Sequence, residues 1–194
     1  ADVDDTSKEA AIARRNEINS ERIMPVGVAA RVLEGETVVT RPMGPRILGL
    51  FQRVDALHAG RPFNPIANRA IFGLAGLSRK IAFSLTDGSL EGQQMLEANV
   101  SIVAQGERGV DGSVADGGFV FIGTDNATTG ELWRQIHQVR GSDYLTVKMM
   151  EITRQFLGRK ITADLVEAWL NSIKFMLRDH KAADDILGYD VQFR

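Results

Sequence analysis

The side chains best suited to chemistry in this sequence are three histidines, His58, His137 and His180, and a few adjacent carboxylates. A histidine can shuttle a proton or bind a metal near neutral pH. None of these three has a second histidine or a carboxylate at a recognised metal-ligand spacing. His58 ends a helical pattern, where a donor suits the helix dipole. A structural role is the expectation for each. Asp4-Asp5 and Asp184-Asp185 lie in polar stretches without a base partner and read as solvated surface. The chain has no cysteine, which excludes disulfides and thiolate metal sites. It also has no Gly-x-Ser-x-Gly nucleophile elbow. No catalytic residue, cofactor or metal is expected.

The glycine-rich stretch "GERGVDGSVADGG" (106–118) is the sharpest ligand signal. A phosphate cradle needs backbone N–H groups that run into a helix N-terminus. The glycines at 106, 109, 112, 117 and 118 match neither the P-loop nor the dinucleotide spacing, and the stretch leads into a strand pattern. A surface connection is the expectation. The competing function is a small α/β enzyme or ligand-binding domain that holds an anionic ligand there. Two basic clusters, "SRK" (78–80) and "RQFLGRK" (154–160), lack interleaved aromatics. With a net charge of −2 they favour a solvated face, or a docking surface for an acidic protein, over nucleic acid. No apolar run is long enough to insert into a membrane.

These groups need elements to carry them. "SKEAAIARRNEI" predicts a helix over 7–18, with Thr6 and Glu9 at capping-box spacing. "RIMPVGVAARVLEGETVVTR" predicts strand, turn and strand around Glu34-Gly35. Ile47, Leu50, Phe51, Val54 and Leu57 keep helical spacing. "KIAFSL" (80–85) predicts a strand, and Ser89 a cap for a helix reaching Asn99. "VSIVAQ" (100–105) and "FVFIG" (119–123) predict buried strands. The run 132–139 does not decide between strand and helix.

The last third predicts two long helices. One carries Leu145, Met149, Ile152 and Phe156 on a stripe. The other opens at Thr162 with Asp164 in its first turn, and shows an apolar face from Leu165 to Leu177. Gly158 separates them. The final "GYDVQFR" alternates, with Tyr189, Val191 and Phe193 on one side, as a half-buried strand does. Such a strand needs a partner, which is either an internal strand such as 100–104 or another chain. The predicted fold is α/β (α+β): a mixed β-sheet flanked by helices, with two long C-terminal helices and a terminal strand or arm. The expected divisions are 1–20 as a helical extension or linker, 21–186 as the main domain, and 187–194 as the arm.

The order of segments resembles the C-terminal region of tail sheath proteins from contractile bacteriophages and related injection machines. The likeness covers residues 20–193. It runs through "SERIMPVGVAARV", "GPRILGLFQRVDALHAGRPFNPIANRAIFGLAGL", "GQQMLEANVSIV", "GFVFIGTDN" and the helical pair ending "LGYDVQF". It rests on order and spacing, without one diagnostic motif. Two features depart from the family pattern. A single Arg140 stands where a pair of arginines is usual, and family members usually continue past "GYDVQF". Because the chain also opens on Ala1, a processed chain or a piece of a longer polypeptide is expected.

The resemblance implies a non-enzymatic structural subunit that self-assembles around a tail tube and contracts to drive the tube through a host envelope. Its implied partners are copies of itself, the tail tube protein and baseplate proteins, and its implied place is the virion tail. Tyr189, Val191 and Phe193 would then form an inter-subunit strand. The family sets a C-terminal helix against the tube, which makes Lys174, Arg178 and Lys181, with Arg159 and Lys160, a tube-facing basic stripe. Lys174, Arg178 and Lys181 are spaced by four and three residues and so share one helix face.

Overall fold

The computed structural model describes residue 2, residues 5–105 and residues 118–192. Most of the glycine-rich stretch (106–117), and Phe193 and Arg194, lie outside the described residues. The chain divides into two compact units, Ala1–Arg140 and Gly141–Arg194.

The first unit begins with helix α1 (Lys8–Asn16), whose N-cap is Ser7 rather than Thr6. The Ser7 hydroxyl accepts from Ala10 N–H at 3.1 Å. Residues of the expected N-terminal extension join the core here, since Ala11 is fully buried. Strands β1 (Ala30–Glu34) and β2 (Thr37–Arg41) pair antiparallel with Glu34 opposite Thr37. Gly35 turns the hairpin at φ +62°, a left-handed conformation that glycine adopts without strain. Arg41 donates a two-pronged pair of hydrogen bonds to Glu34, each 2.7 Å. Helix α2 (Gly44–Leu57) buries Ile47, Leu50, Phe51 and Val54, whereas Leu57 is exposed. Asp2 caps this helix, accepting from Met43 N–H at 2.7 Å.

Short strands β3 (Arg69–Ala70) and β4 (Gly76–Leu77) follow, then helix α3 (Glu91–Glu97). Strands β5 (Ile102–Gln105) and β6 (Phe119–Ile122) complete the unit together with the first turn of helix α4 (Ile136–Arg154). The single mixed sheet of the sequence reading resolves into two three-stranded antiparallel sheets, ordered β2-β1-β4 and β3-β6-β5. Among the described residues, parallel pairing is confined to isolated bridges, Asp2 to Val26 and Val26 to Ser101. The core gathers Met43, Ile66, Met95, Ile102, Val103 and Phe121 between the sheets and helices. β2 pairs only with β1 among the described residues, so it is an edge strand.

Two local expectations fail for identifiable reasons, and one undecided run is settled. Residues 80–84 form no strand. Ala82 C=O accepts from Gly92 N–H at 2.9 Å and Ser84 C=O from the Gln93 side chain at 2.9 Å, so the start of α3 takes the carbonyls a sheet would need. A Cβ on Gly92 would meet Ala82 O at 2.9 Å and Ile102 Cδ1 at 2.8 Å, which is why only glycine fits there. Ser89 does not cap α3, whose N-cap is Leu90 without a side-chain bond. Asp87 instead takes both the Ser89 N–H (2.9 Å) and hydroxyl (2.6 Å), and these donors hold the Asp87 carboxyl below its usual range. The undecided run 132–139 splits. Gln135 bridges back to Asp125, and the helix starts at Ile136.

The second unit holds most of α4 and helix α5 (Ala163–Ala182). Thr162 caps α5 as expected, its hydroxyl accepting from Leu165 N–H at 3.2 Å. Gly158 lies in the connection at φ +78°. Trp169 Nε1–H of α5 donates to Thr153 Oγ1 of α4 at 3.0 Å, which ties the pair together. No helix is long and apolar enough to cross a membrane among the described residues.

Candidate assembly surface

The C-terminal tail is the element the sequence singles out. No strand is assigned over residues 186–192, and Leu187 is fully exposed, Tyr189 partly so. Strand 100–104, named above as an internal partner, is already engaged. β5 pairs with β6 from Gln105 to Ile122, and Ser101 bonds to Pro25 and Gly27 on the other side. Phe193 lies outside the described residues. Tyr189 and Val191 therefore belong to a segment with strand-like alternation and no ladder.

The five basic candidates are all exposed. Lys174, Arg178 and Lys181 occupy successive turns of α5. Arg178 sits over the Phe175 ring at 4.9 Å and bonds Asp179 at 3.3 Å, so part of its charge is engaged locally. Arg159 and Lys160 lie in the connection before α5. At a rise of about 1.5 Å per residue, the start of α5 is roughly 17 Å along the axis from Lys174. Lys174, Arg178 and Lys181 thus lie on the helix, while Arg159 and Lys160 precede it.

Asp185 overturns its reading as solvated surface. Its carboxylate lies 2.8 Å from His180 Nδ1, and the two side chains are only 5% and 11% exposed. The Tyr144 ring of α4 meets the His180 ring edge-on at 5.6 Å between centroids. Sequence reasoning missed this because a carboxylate five residues after a histidine matches no helical pairing. The contact needs the left-handed turn at Asp184, φ +58°.

In the first unit, Arg140 carries an internal role. Its guanidinium bonds Asp55 at 2.5 Å and stacks over Phe51 at 4.3 Å. One turn earlier, His137 Nδ1 is buried without a hydrogen-bond partner among the described residues. Burial first, and the nearby Arg140 charge second, push the His137 imidazole below its usual range. His58 is the C-cap of α2, with its N–H on Asp55 C=O. No group of three or more metal-ligating side chains occurs among the described residues.

Clefts indent the first unit among the described residues. One, of about 310 Å³, is walled by Phe83, Leu96 and Ile122 with Asn68, Gln93 and Asn99 at its rim. Two of its lining residues, Asp125 and Asn99, accept from Arg134 at 2.7 Å and 2.9 Å. Another, of about 250 Å³, lies between α2 and residues 70–72. Arg53 spans that second cleft, bonded to Ala70 C=O and resting over the Phe72 ring at 4.2 Å.

No family model matches the chain, and no curated protein matches it. Solved structures do. The backbone is similar to a chain of the anti-feeding prophage (AFP) baseplate, with a TM-score of 0.73 and 13% identity over 94% of this chain and 44% of that one. It is similar to the AFP helical sheath in the contracted state, with a TM-score of 0.68 and 15% identity over 83% and 41%. It is also similar to the PVC sheath complex of an extracellular contractile injection system in the contracted state, with a TM-score of 0.74 and 15% identity over 98% and 50%. The chain spans about half the length of the structures it matches. Its fold is that of sheath and baseplate components of contractile injection systems.

Proposed function

We propose that this chain is the assembly-forming part of a contractile sheath subunit, structural and non-enzymatic, that packs with its own copies around a tube and seats on a baseplate. The observation that carries the reading is the backbone likeness along 98% of the chain to a contracted sheath complex. The tail supports it. An alternating segment with an exposed Leu187 and half-exposed Tyr189 and no ladder of its own suits strand addition to a neighbour, since main-chain hydrogen bonds give attachment without a large rigid interface. In this reading Tyr189, Val191 and Phe193 form the inter-subunit strand. Lys174, Arg178 and Lys181 face the tube, where exposed charges give capture that is long-ranged yet individually weak. Arg159 and Lys160 act as a separate basic position. The finer assignment to a bacteriophage virion tail belongs to the same proposal.

The test is electron microscopy of the purified chain across a concentration series, beside a variant lacking residues 188–194. Rings or tubes from the intact chain, and folded monomers from the shortened one, are the expected result. A shortened chain that still polymerises overturns the strand assignment. An intact chain that stays monomeric at every concentration, with or without tube protein, overturns the function.

A further inference from the structure

We propose that His180 and Asp185 form a clasp that fixes the direction in which the C-terminal tail leaves α5 and carries load from the tail into the helix. The load-bearing half of the inference rests on the reading of the tail as an inter-subunit link; the clasp itself does not.

Helix α5 ends at Ala182. The chain then reverses through Asp184, whose φ of +58° is a conformation that residues with a side chain rarely adopt. Backbone bonds close the reversal: Asp184 N–H to Lys181 C=O at 3.1 Å, and Asp185 N–H to His180 C=O at 3.0 Å. An ordinary helix end stops there, usually with glycine at the left-handed site. Here the His180 ring reaches the Asp185 carboxylate across the same kink at 2.8 Å, so backbone and side chain bind the same two residues.

Placement sets this pair apart from a surface contact. Asp179, Lys181 and Asp184 around it are exposed, while the His180 and Asp185 side chains are almost closed to water. Hydrogen bonds to an ionised group strengthen where water is excluded. The Tyr144 ring backs the imidazole from α4, so the clasp is anchored to both helices. Two residues beyond it, Leu187 is fully exposed. Ile186 is half-buried and Leu187 fully exposed, so the chain leaves cover within two residues of Asp185. A pull on residues 186–192 meets the clasp before it meets the helix. Lys181, a member of the basic face, is the next residue after His180 on α5. Tension on the tail and the orientation of that face are therefore coupled through one side-chain pair.

The experiment measures amide hydrogen exchange on the full chain, together with its polymerisation. His180→Phe keeps a ring against Tyr144 and deletes the bond to Asp185. Exchange at residues 184–186 is expected to rise about tenfold, with amides in the middle of α4 and α5 unchanged. Asp185→Asn keeps the size and one acceptor oxygen, gives a smaller rise at the same amides, and serves as the readout if the phenylalanine variant does not fold. Asp184→Gly, which suits the left-handed site, leaves exchange within about twofold of the parent chain. Unchanged exchange in both clasp variants overturns the clasp. Faster exchange with polymers as long and as abundant as those of the parent overturns the load-bearing role. A parent chain that never polymerises overturns the sheath reading instead, and the exchange result still judges the clasp.

Discussion

The two units satisfy their apolar side chains to very different degrees. In the first, Met43, Ile66, Met95, Ile102, Val103 and Phe121 are all fully buried. In the second, among the described residues, Ile173 and Leu177 are the only buried large apolar side chains, while Val147, Met150, Leu157, Ile161 and Phe175 are exposed. A core of the first kind fixes one arrangement, because interiors pack at near-crystalline density and tolerate little rearrangement. A helical pair of the second kind is held by a few specific contacts, such as Trp169 to Thr153 and Tyr144 to His180. If the chain is a sheath subunit, the well-packed unit is the part suited to move as a rigid body. The thinly covered one is the part suited to exchange its surroundings.

The contrast is broken most directly by cutting one aromatic from each unit. Phe121→Ala empties a closed site and should lower stability by about 3–5 kcal/mol, read by denaturant midpoint. Phe175 is 56% exposed, and its truncation should move the midpoint little. Comparable losses at both positions would mean that the second unit packs as tightly as the first.

Cations sharpen the comparison next. Arg140→Ala removes a partly buried bond to Asp55 and the stacking over Phe51, for an expected loss of about 1–3 kcal/mol. The double reversal of Lys174 and Arg178 to glutamate should leave thermal stability alone and weaken co-assembly with tube protein, most visibly at low salt. Co-assembly that is indifferent to the reversal would remove the tube-facing assignment.

The smallest effect concerns pH. The His137 imidazole is lowered from its ordinary value of 6.5 by burial and by Arg140, so the unfolded chain binds its proton more readily than the folded one. Its contribution to stability is complete above about pH 6.5 and is lost as pH falls through the lowered folded value. Replacing His137 with Gln should flatten that slope in an equilibrium unfolding series between pH 7.5 and about 5, without touching the slope from other groups. A parent slope that survives the replacement would assign it elsewhere.

What the sequence disclosed follows a physical line. The β1–β2 hairpin was legible because Glu34-Gly35 interrupts two β-branched runs, and its ladder is local. Helix α5 was legible because Thr162, Asp164 and the stripe from Leu165 to Leu177 all agree. The strand expected at 80–85 failed because its competitor lies about ten residues away, where Gly92 lets α3 approach and take Ala82 C=O. Ser89 failed as a cap because Asp87 reaches it first. Asp185 looked solvated because only a left-handed Asp184, a backbone choice with no glycine to announce it, turns the carboxylate inward. The basic face was readable as spacing. That Arg159 and Lys160 stand apart from it required the length of the helix.

One feature of the hairpin bears on every assembly experiment. Among the described residues β2 offers an unpaired edge of four successive β-branched residues, Thr37 to Thr40, with a single cation at its end already committed to Glu34. Flat edges of that composition nucleate lamination between chains as readily as they template a designed partner. Fibres that show a cross-β spacing of about 4.7 Å and vanish with Val38→Lys, a change at the exposed valine of β2, would be stacked hairpins, with no bearing on contraction. A genuine cylinder should outlast that lysine.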